Sequence, residues 1–124
     1  MEKIINNSLS FVIGSLQDNP TGRQVDSRYM SKFKLAVKRT NRKGETKFDK
    51  YQITFWETNA HNCVDYLKKG DVVFVAGKQQ HNTWNGENAP CNSIELNGIY
   101  INFGDVGTLD EEFDKFVYWR CNNA

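Results

Sequence analysis

Three aromatic residues stand where packing alone poorly explains a large ring. Trp84 immediately precedes Asn85-Gly86, the dipeptide that most strongly signals a two-residue hairpin turn. It therefore falls near a projecting tip, where little of the chain can cover an indole. Trp56 closes an alternating segment that Phe48 opens on the same side, with Lys50 between them. Exposed aromatic faces beside positive charge stack nucleobases irrespective of sequence. The charge is present: from Lys32 to Lys50, eight basic residues (Lys32, Lys34, Lys38, Arg39, Arg42, Lys43, Lys47, Lys50) face only Glu45 and Asp49. Lys78 adds to them just before the Trp84 arm. A polyanion responds to this local excess and not to the chain's net charge of +1. The competing readings are a solvated lysine face, a packing role for Trp84, and a strand-end Trp56 partly in the core.

Catalytic and metal chemistry find less support. There is no GxSxG, HExxH, P-loop or GxGxxG pattern. His61 and His81 have no Cys or His at ligand spacing and read as ordinary polar histidines, so no catalytic residue, metal site or cofactor is expected. Cys63, Cys91 and Cys121 are odd in number and far apart, which argues against a disulfide framework or a CxxC metal site. Cys63 reads as core. The acids are scattered or lie between Asp105 and Asp114, so they do not form the converging set a nuclease needs.

The elements that must position these residues follow from periodicity. Leu9, Phe11 and Ile13 alternate with Ser8, Ser10 and Val12, a strand ending near Gly14. Gln17–Ser27 is dense in turn formers and reads as a loop. A second strand, about Tyr29–Arg39, turns Phe33, Leu35 and Val37 one way and Lys32, Lys34, Ala36 and Lys38 the other. After the polar connection Thr40–Lys47, a third strand (Phe48–Trp56) puts Tyr51, Ile53 and Phe55 opposite Phe48, Lys50, Gln52, Thr54 and Trp56. Ala60, Cys63, Val64 and Leu67 then recur at helical spacing, with Thr58 or Asn59 as N-cap and Gly70 as the C′ residue. Val72–Ala76 is an apolar strand running on toward Trp84, and Ile94–Ile101 is a fifth. Phe33, Leu35, Ile53, Phe55 and Val72–Val75 are expected inside. Three strands, one short helix and two strands make an all-β chain with the topology of a five-stranded OB-fold Greek-key barrel, helix between strands three and four.

Length and composition agree with one such domain. The 124 residues are 39% hydrophobic and 25% charged, neither disordered nor low in complexity. No apolar run approaches the roughly 18–20 residues of a membrane helix. MEKIINNSLS lacks the apolar stretch of a secretory leader. A cytoplasmic, nucleoid-associated protein is expected.

Several segments together resemble the bacterial single-stranded DNA-binding proteins: SKFKLAVKRT (31–40), WETNAHNCVDYLKKGDVVFVAGK (56–78), QQHNTWNGE (79–87) and FVIGSLQDNP (11–20). They agree in order and spacing over roughly residues 3–103. The resemblance implies an OB-fold that assembles as a homo-oligomer, usually a tetramer though a dimer is open, and wraps single-stranded DNA without sequence preference. Trp56 and Trp84 fall on two aromatic stacking positions of the family. Two positions depart from it: Asn41 stands where an aromatic is usual, and Lys50 where some members carry Trp. Both bear on how many bases are stacked. The family's flexible acidic C-terminal tip, which recruits replication and repair proteins, is not matched by Arg120–Ala124. The chain looks like a short variant, and such partners are left open.

The sequence thus points to a non-enzymatic DNA-binding protein of replication, recombination or repair. The candidate contacts are Trp56, Trp84, Phe48, Lys32, Lys34, Lys38, Arg39, Arg42, Lys43, Lys50 and Lys78. The alternative is an OB-fold protein-interaction or primosome-accessory module with weak DNA binding. Residues 1–104 are expected to form the binding domain and 105–124 an acidic, aromatic extension. That extension either competes for the basic groove or packs on the barrel through Phe113, Phe116 and Trp119. Its removal after Gly104 is expected to leave binding intact or tighter. Ile4, Ile5, Tyr51 and Tyr100 are candidates for assembly contacts. Trp84→Ala is expected to weaken binding by about 1–3 kcal/mol with little loss of stability.

Overall fold

The computed structural model describes residues 9–80 and 93–123; Ile4, Ile5, His81, Trp84, Asn85, Gly86 and Cys91 lie outside them. Six strands form one sheet: β1 (Leu9–Leu16), β2 (Thr21–Val25), β3 (Arg28–Thr40), β4 (Thr46–Trp56), β5 (Val72–Gln80) and β6 (Ser93–Asn102). Helix α1 (Glu57–Tyr66) joins β4 to β5, and α2 (Leu109–Asn123) follows β6. The strands run in the order β1-β5-β6-β4-β3-β2, and Ser15 and Leu16 of β1 pair back onto Ala36 and Leu35 of β3. That last pairing closes the sheet into an OB-fold barrel. Gly14 sits at the closure, where an added Cβ would fall 2.6 Å from the Ala36 carbonyl oxygen. Only a glycine lets β1 approach β3 so closely.

Among the described residues six strands appear where five were expected, because β2 lies inside the stretch read as a loop. Val25 pairs with Arg28 across Asp26–Ser27, and Asp26 takes the left-handed φ of 58° that such a tight turn requires. Four of the five β2 residues are exposed, so no apolar alternation marks the strand. Helix α1 also departs in detail. It begins at Glu57, directly after Trp56, and not behind a Thr58 or Asn59 cap. Gly70, expected to end the helix, lies beyond its C-cap Leu67 in the turn Lys68–Asp71, with φ +95°.

The apolar residues divide into two layers. Val12, Leu16, Phe33, Leu35, Ile53, Phe55, Val73, Val75 and Leu96 fill the barrel, closed below by Ala60, Cys63 and Leu67. Phe74 and Ala76 point outward yet are fully buried, because Phe116 of α2 packs over them with Phe11, Ile13, Ile99 and Tyr100 around it. This overturns one expectation. The Val72–Val75 run is not wholly interior: Val73 and Val75 are, Phe74 lies under α2, and Val72 is 51% exposed. In β1 the interior residues are Val12 and Leu16, while Phe11 and Ile13 face outward. An unbroken apolar run is what a strand covered on both faces produces.

The extension after Gly104 therefore carries a docked helix, α2, and packs on the barrel through Phe113 and Phe116. Thr108 caps α2: its Oγ1 accepts the Glu111 N–H (3.2 Å), and Glu111 Oε1 accepts the Thr108 N–H (2.9 Å). This reciprocal pair is a capping box. Asp110, Glu111 and Glu112 occupy the first turn, where the helix dipole favours negative charge. Glu112 is fully buried and accepts from Asn102 Nδ2 (2.7 Å), the Gly107 N–H (2.8 Å) and Lys115 Nζ (3.1 Å). Burial alone would raise its carboxyl, but these three donors hold it below its ordinary 4.5.

Candidate nucleic-acid interface

The β3–β4 pairing sets the site. Its register places Met30 opposite Trp56, Lys32 opposite Thr54, Lys34 opposite Gln52, Ala36 opposite Lys50 and Lys38 opposite Phe48. The alternate residues Phe33, Leu35, Ile53 and Phe55 fill the barrel, so all of these turn outward. The rows continue across the sheet. Thr54 neighbours Asn97, which neighbours Lys78, while Gln52 neighbours Glu95, which neighbours Gln80. One outer face thus gathers Lys32, Lys34, Lys38, Lys50 and Lys78 between Trp56 at one end and Phe48 at the other. Phe48 is 63% exposed and Trp56 half-buried. Asp18, Asn19, Thr21, Lys32, Lys34 and Gln52 border a cleft of about 200 Å³ on this face, where Asp18 Oδ1 accepts the Lys34 N–H at 3.4 Å.

The other predicted contacts lie elsewhere. Arg39 belongs to the opposite side of the hairpin, where its Nε and Nη2 donate to the Asp49 carboxylate at 3.0 and 3.2 Å. Arg42 and Lys43 occupy the exposed turn between β3 and β4. Asn41 organises that turn: its Oδ1 accepts the N–H groups of Lys43 and Glu45, each at 2.9 Å, and its Nδ2 donates to Glu45 Oε1 at 2.7 Å. The position where an aromatic was expected is here a turn-forming Asx residue. Trp84 lies outside the described residues.

Sequence reasoning passed over Arg28. It is the first residue of β3 and shares the outward alternation of Met30, Lys32 and Lys34. Its guanidinium carbon lies 4.2 Å from the centre of the Trp56 ring, and its Nε donates to Glu57 Oε2 at 3.3 Å. The signal was the Gln24–Arg28 segment, a two-residue Asp-Ser turn followed by a basic residue in phase with the lysines. Nearby, His61 stacks on Tyr29 with ring centres 3.9 Å apart. Burial pushes the Cys63 thiol up to about 12, and the neighbouring Ser31 hydroxyl offsets only part of that rise. The thiol therefore stays protonated and acts as core. Among the described residues, no three metal-ligating side chains converge.

Comparison with known proteins bears on the fold and family. The Streptomyces coelicolor small single-stranded DNA-binding protein superposes with a TM-score of 0.65 at 20% identity, covering 78% of this chain and 94% of that one. The second such protein of Mycobacterium smegmatis gives 0.60 at 20% identity, covering 81% and 97%. In sequence, the chain is 36% identical over 121 residues to the single-stranded DNA-binding protein of Caldanaerobacter subterraneus subsp. tengcongensis, covering 84% of this chain and 81% of that protein. It is 34% identical over 77 residues to single-stranded DNA-binding protein 1 of Clostridium acetobutylicum, covering 59% and 70%. Against the Bacillus cereus relative, 32% identical over 79 residues, the match spans only 46% of that protein's length. The profile of the single-strand binding protein family matches residues 7–97, nearly the whole barrel, and the chain belongs to that family.

Proposed function

We propose that the chain binds single-stranded DNA without sequence preference, as a non-enzymatic homo-oligomer that protects unpaired strands during replication, recombination or repair. One observation carries the reading: the β3–β4–β6 face presents lysine rows bracketed by Trp56 and Phe48, with the barrel core directly beneath. The lysines suit a phosphate backbone and the rings suit unpaired bases, whatever their sequence. The reading calls for no nucleotide cofactor and no metal. Trp84, in the arm outside the described residues, is proposed as a further stacking ring, and Arg42 and Lys43 as phosphate contacts from the turn.

Assembly has a physical route. Among the described residues, β1 pairs along Leu9–Gly14 with β5 alone, and only Ser15 and Leu16 reach β3. The remaining β1 edge can add a strand from a second copy, giving two or, through a further surface, four chains. Titration of a labelled deoxythymidine oligonucleotide, followed by tryptophan fluorescence at several salt concentrations, tests the function. Saturable quenching that weakens steeply with salt is expected. Absence of binding at low salt would refute the reading.

A further inference from the structure

Arg28 is placed as no other cation of the face is. β3 turns Arg28, Lys32, Lys34 and Lys38 to one side, but among the described residues only Arg28 of these lies over an aromatic ring, 4.2 Å from the Trp56 centroid. A guanidinium is planar and stacks on aromatic faces, while its edge keeps five N–H groups in a fork that fits a phosphate. One of these, Nε–H, is engaged by Glu57 at 3.3 Å, in a pair whose side chains are each 55% exposed. Such an exposed, long pair is weak and readily exchanged. Glu57 itself takes φ +57°, a costly conformation for a residue with a side chain and one that concentrates at ligand clamps. A base approaching this side of Trp56 meets the guanidinium before the indole.

We propose that Arg28 is a further DNA contact, held over Trp56 by Glu57, and that an incoming strand exchanges the Glu57 carboxylate for its own phosphate on the same guanidinium. Arg28 then continues the Trp56 stack and anchors the backbone, while Glu57 acts as a built-in competitor that weakens binding. The proposal rests on the β3–β4 face being the DNA surface.

The test compares the parent chain with Arg28→Ala, Arg28→Lys, Glu57→Gln and Trp56→Ala in the same oligonucleotide titration across salt, with melting temperatures recorded. Arg28→Ala should bind several-fold more weakly and flatten the slope of log K against log salt by about 0.7, one phosphate contact. Arg28→Lys should keep the slope and recover only part of the affinity, since it restores the charge but not the plane. Glu57→Gln should bind more tightly than the parent. If Arg28→Ala matches the parent in affinity and slope while Trp56→Ala still loses affinity, Arg28 merely covers the ring and the proposal fails. Weaker binding by Glu57→Gln would overturn the competitor role. A parent chain that does not bind at all would instead overturn the reading of the face.

Discussion

Trp56 and Phe48 occupy opposite ends of one face and differ in how much of each the protein itself uses. Phe48 is 63% exposed, so truncating it should change stability by no more than about 0.5 kcal/mol. A stacked base, by contrast, contributes about 1–3 kcal/mol of affinity. Phe48→Ala is therefore expected to weaken oligonucleotide binding by 1–3 kcal/mol on that principle while leaving the melting temperature in place. Trp56→Ala should lose a similar affinity and also about 2 kcal/mol of stability, because the ring is half-buried at a position paired with the buried Met30. Paired calorimetric and fluorescence measurements separate the two quantities. The cations divide as well. Lys34 and Lys38 lie in the outward rows, so replacing both by Ala should flatten the salt slope by roughly 1–1.5. Arg39, clamped to Asp49 on the other side of the hairpin, should change it far less. An Arg39→Ala variant as damaging as the lysine pair would place the DNA path on the wrong side of the sheet. Strict alternation made the lysines and their interior neighbours legible in the sequence. The position of Arg39 on the other side was not legible, because a count of charge along the chain ignores which side each residue faces.

Helix α2 is the element that sequence reading characterised least, although its start signal was present. Thr108-Leu109-Asp110-Glu111 fits the pattern of a capping box, but the acids around it read as an acidic, aromatic extension whose packing on the barrel is one of two alternatives. Without a helix to cover it, Phe74 reads as barrel interior along with the rest of Val72–Val75, and so one missing element misassigns part of a strand. The buried Glu112 carboxylate gives this docking a pH dependence. Its folded-state value lies below the ordinary 4.5 because the Gly107, Asn102 and Lys115 donors outweigh its burial. The charged form is therefore favoured by folding, and this contribution is fully present above 4.5 and lost as pH falls through the depressed folded value. Acidification should loosen α2 before the barrel melts, seen as a change in Trp119 fluorescence, since that ring lies 5.2 Å from Tyr100 in the docked helix. Glu112→Gln should abolish this early acid step. Phe116→Ala removes the ring at the centre of the outer layer, 2% exposed, and should weaken docking by about 3 kcal/mol. An early acid step that persists in Glu112→Gln would assign it to another carboxylate.

At the scale of the whole molecule, α2 bears on how copies can meet. One small OB domain follows only about 4–16 nucleotides, so linking copies raises avidity without any new base contact. Two kinds of surface were expected to join them: strand one and the outward faces of the sheet. The structure leaves the first available, since among the described residues Leu9–Gly14 of β1 pairs with β5 alone. It takes away much of the second, because α2 already covers Phe11, Ile13, Phe74, Ala76 and Tyr100. Tyr51 likewise packs against the barrel core. A dimer through the β1 edge is therefore the smallest assembly the chain should form, with light scattering at micromolar concentration giving about twice the 14.3 kDa chain mass. Truncation after Gly104 should leave the β1 edge intact and strip the cover from a contiguous apolar face, the kind of surface that drives association. The truncated chain is expected to bind DNA through its unchanged β3–β4 face but to scatter as a heavier particle than the parent, or to precipitate. If it instead keeps both the parent's subunit number and its melting temperature, α2 contributes nothing to covering that face, and the intramolecular cap is refuted.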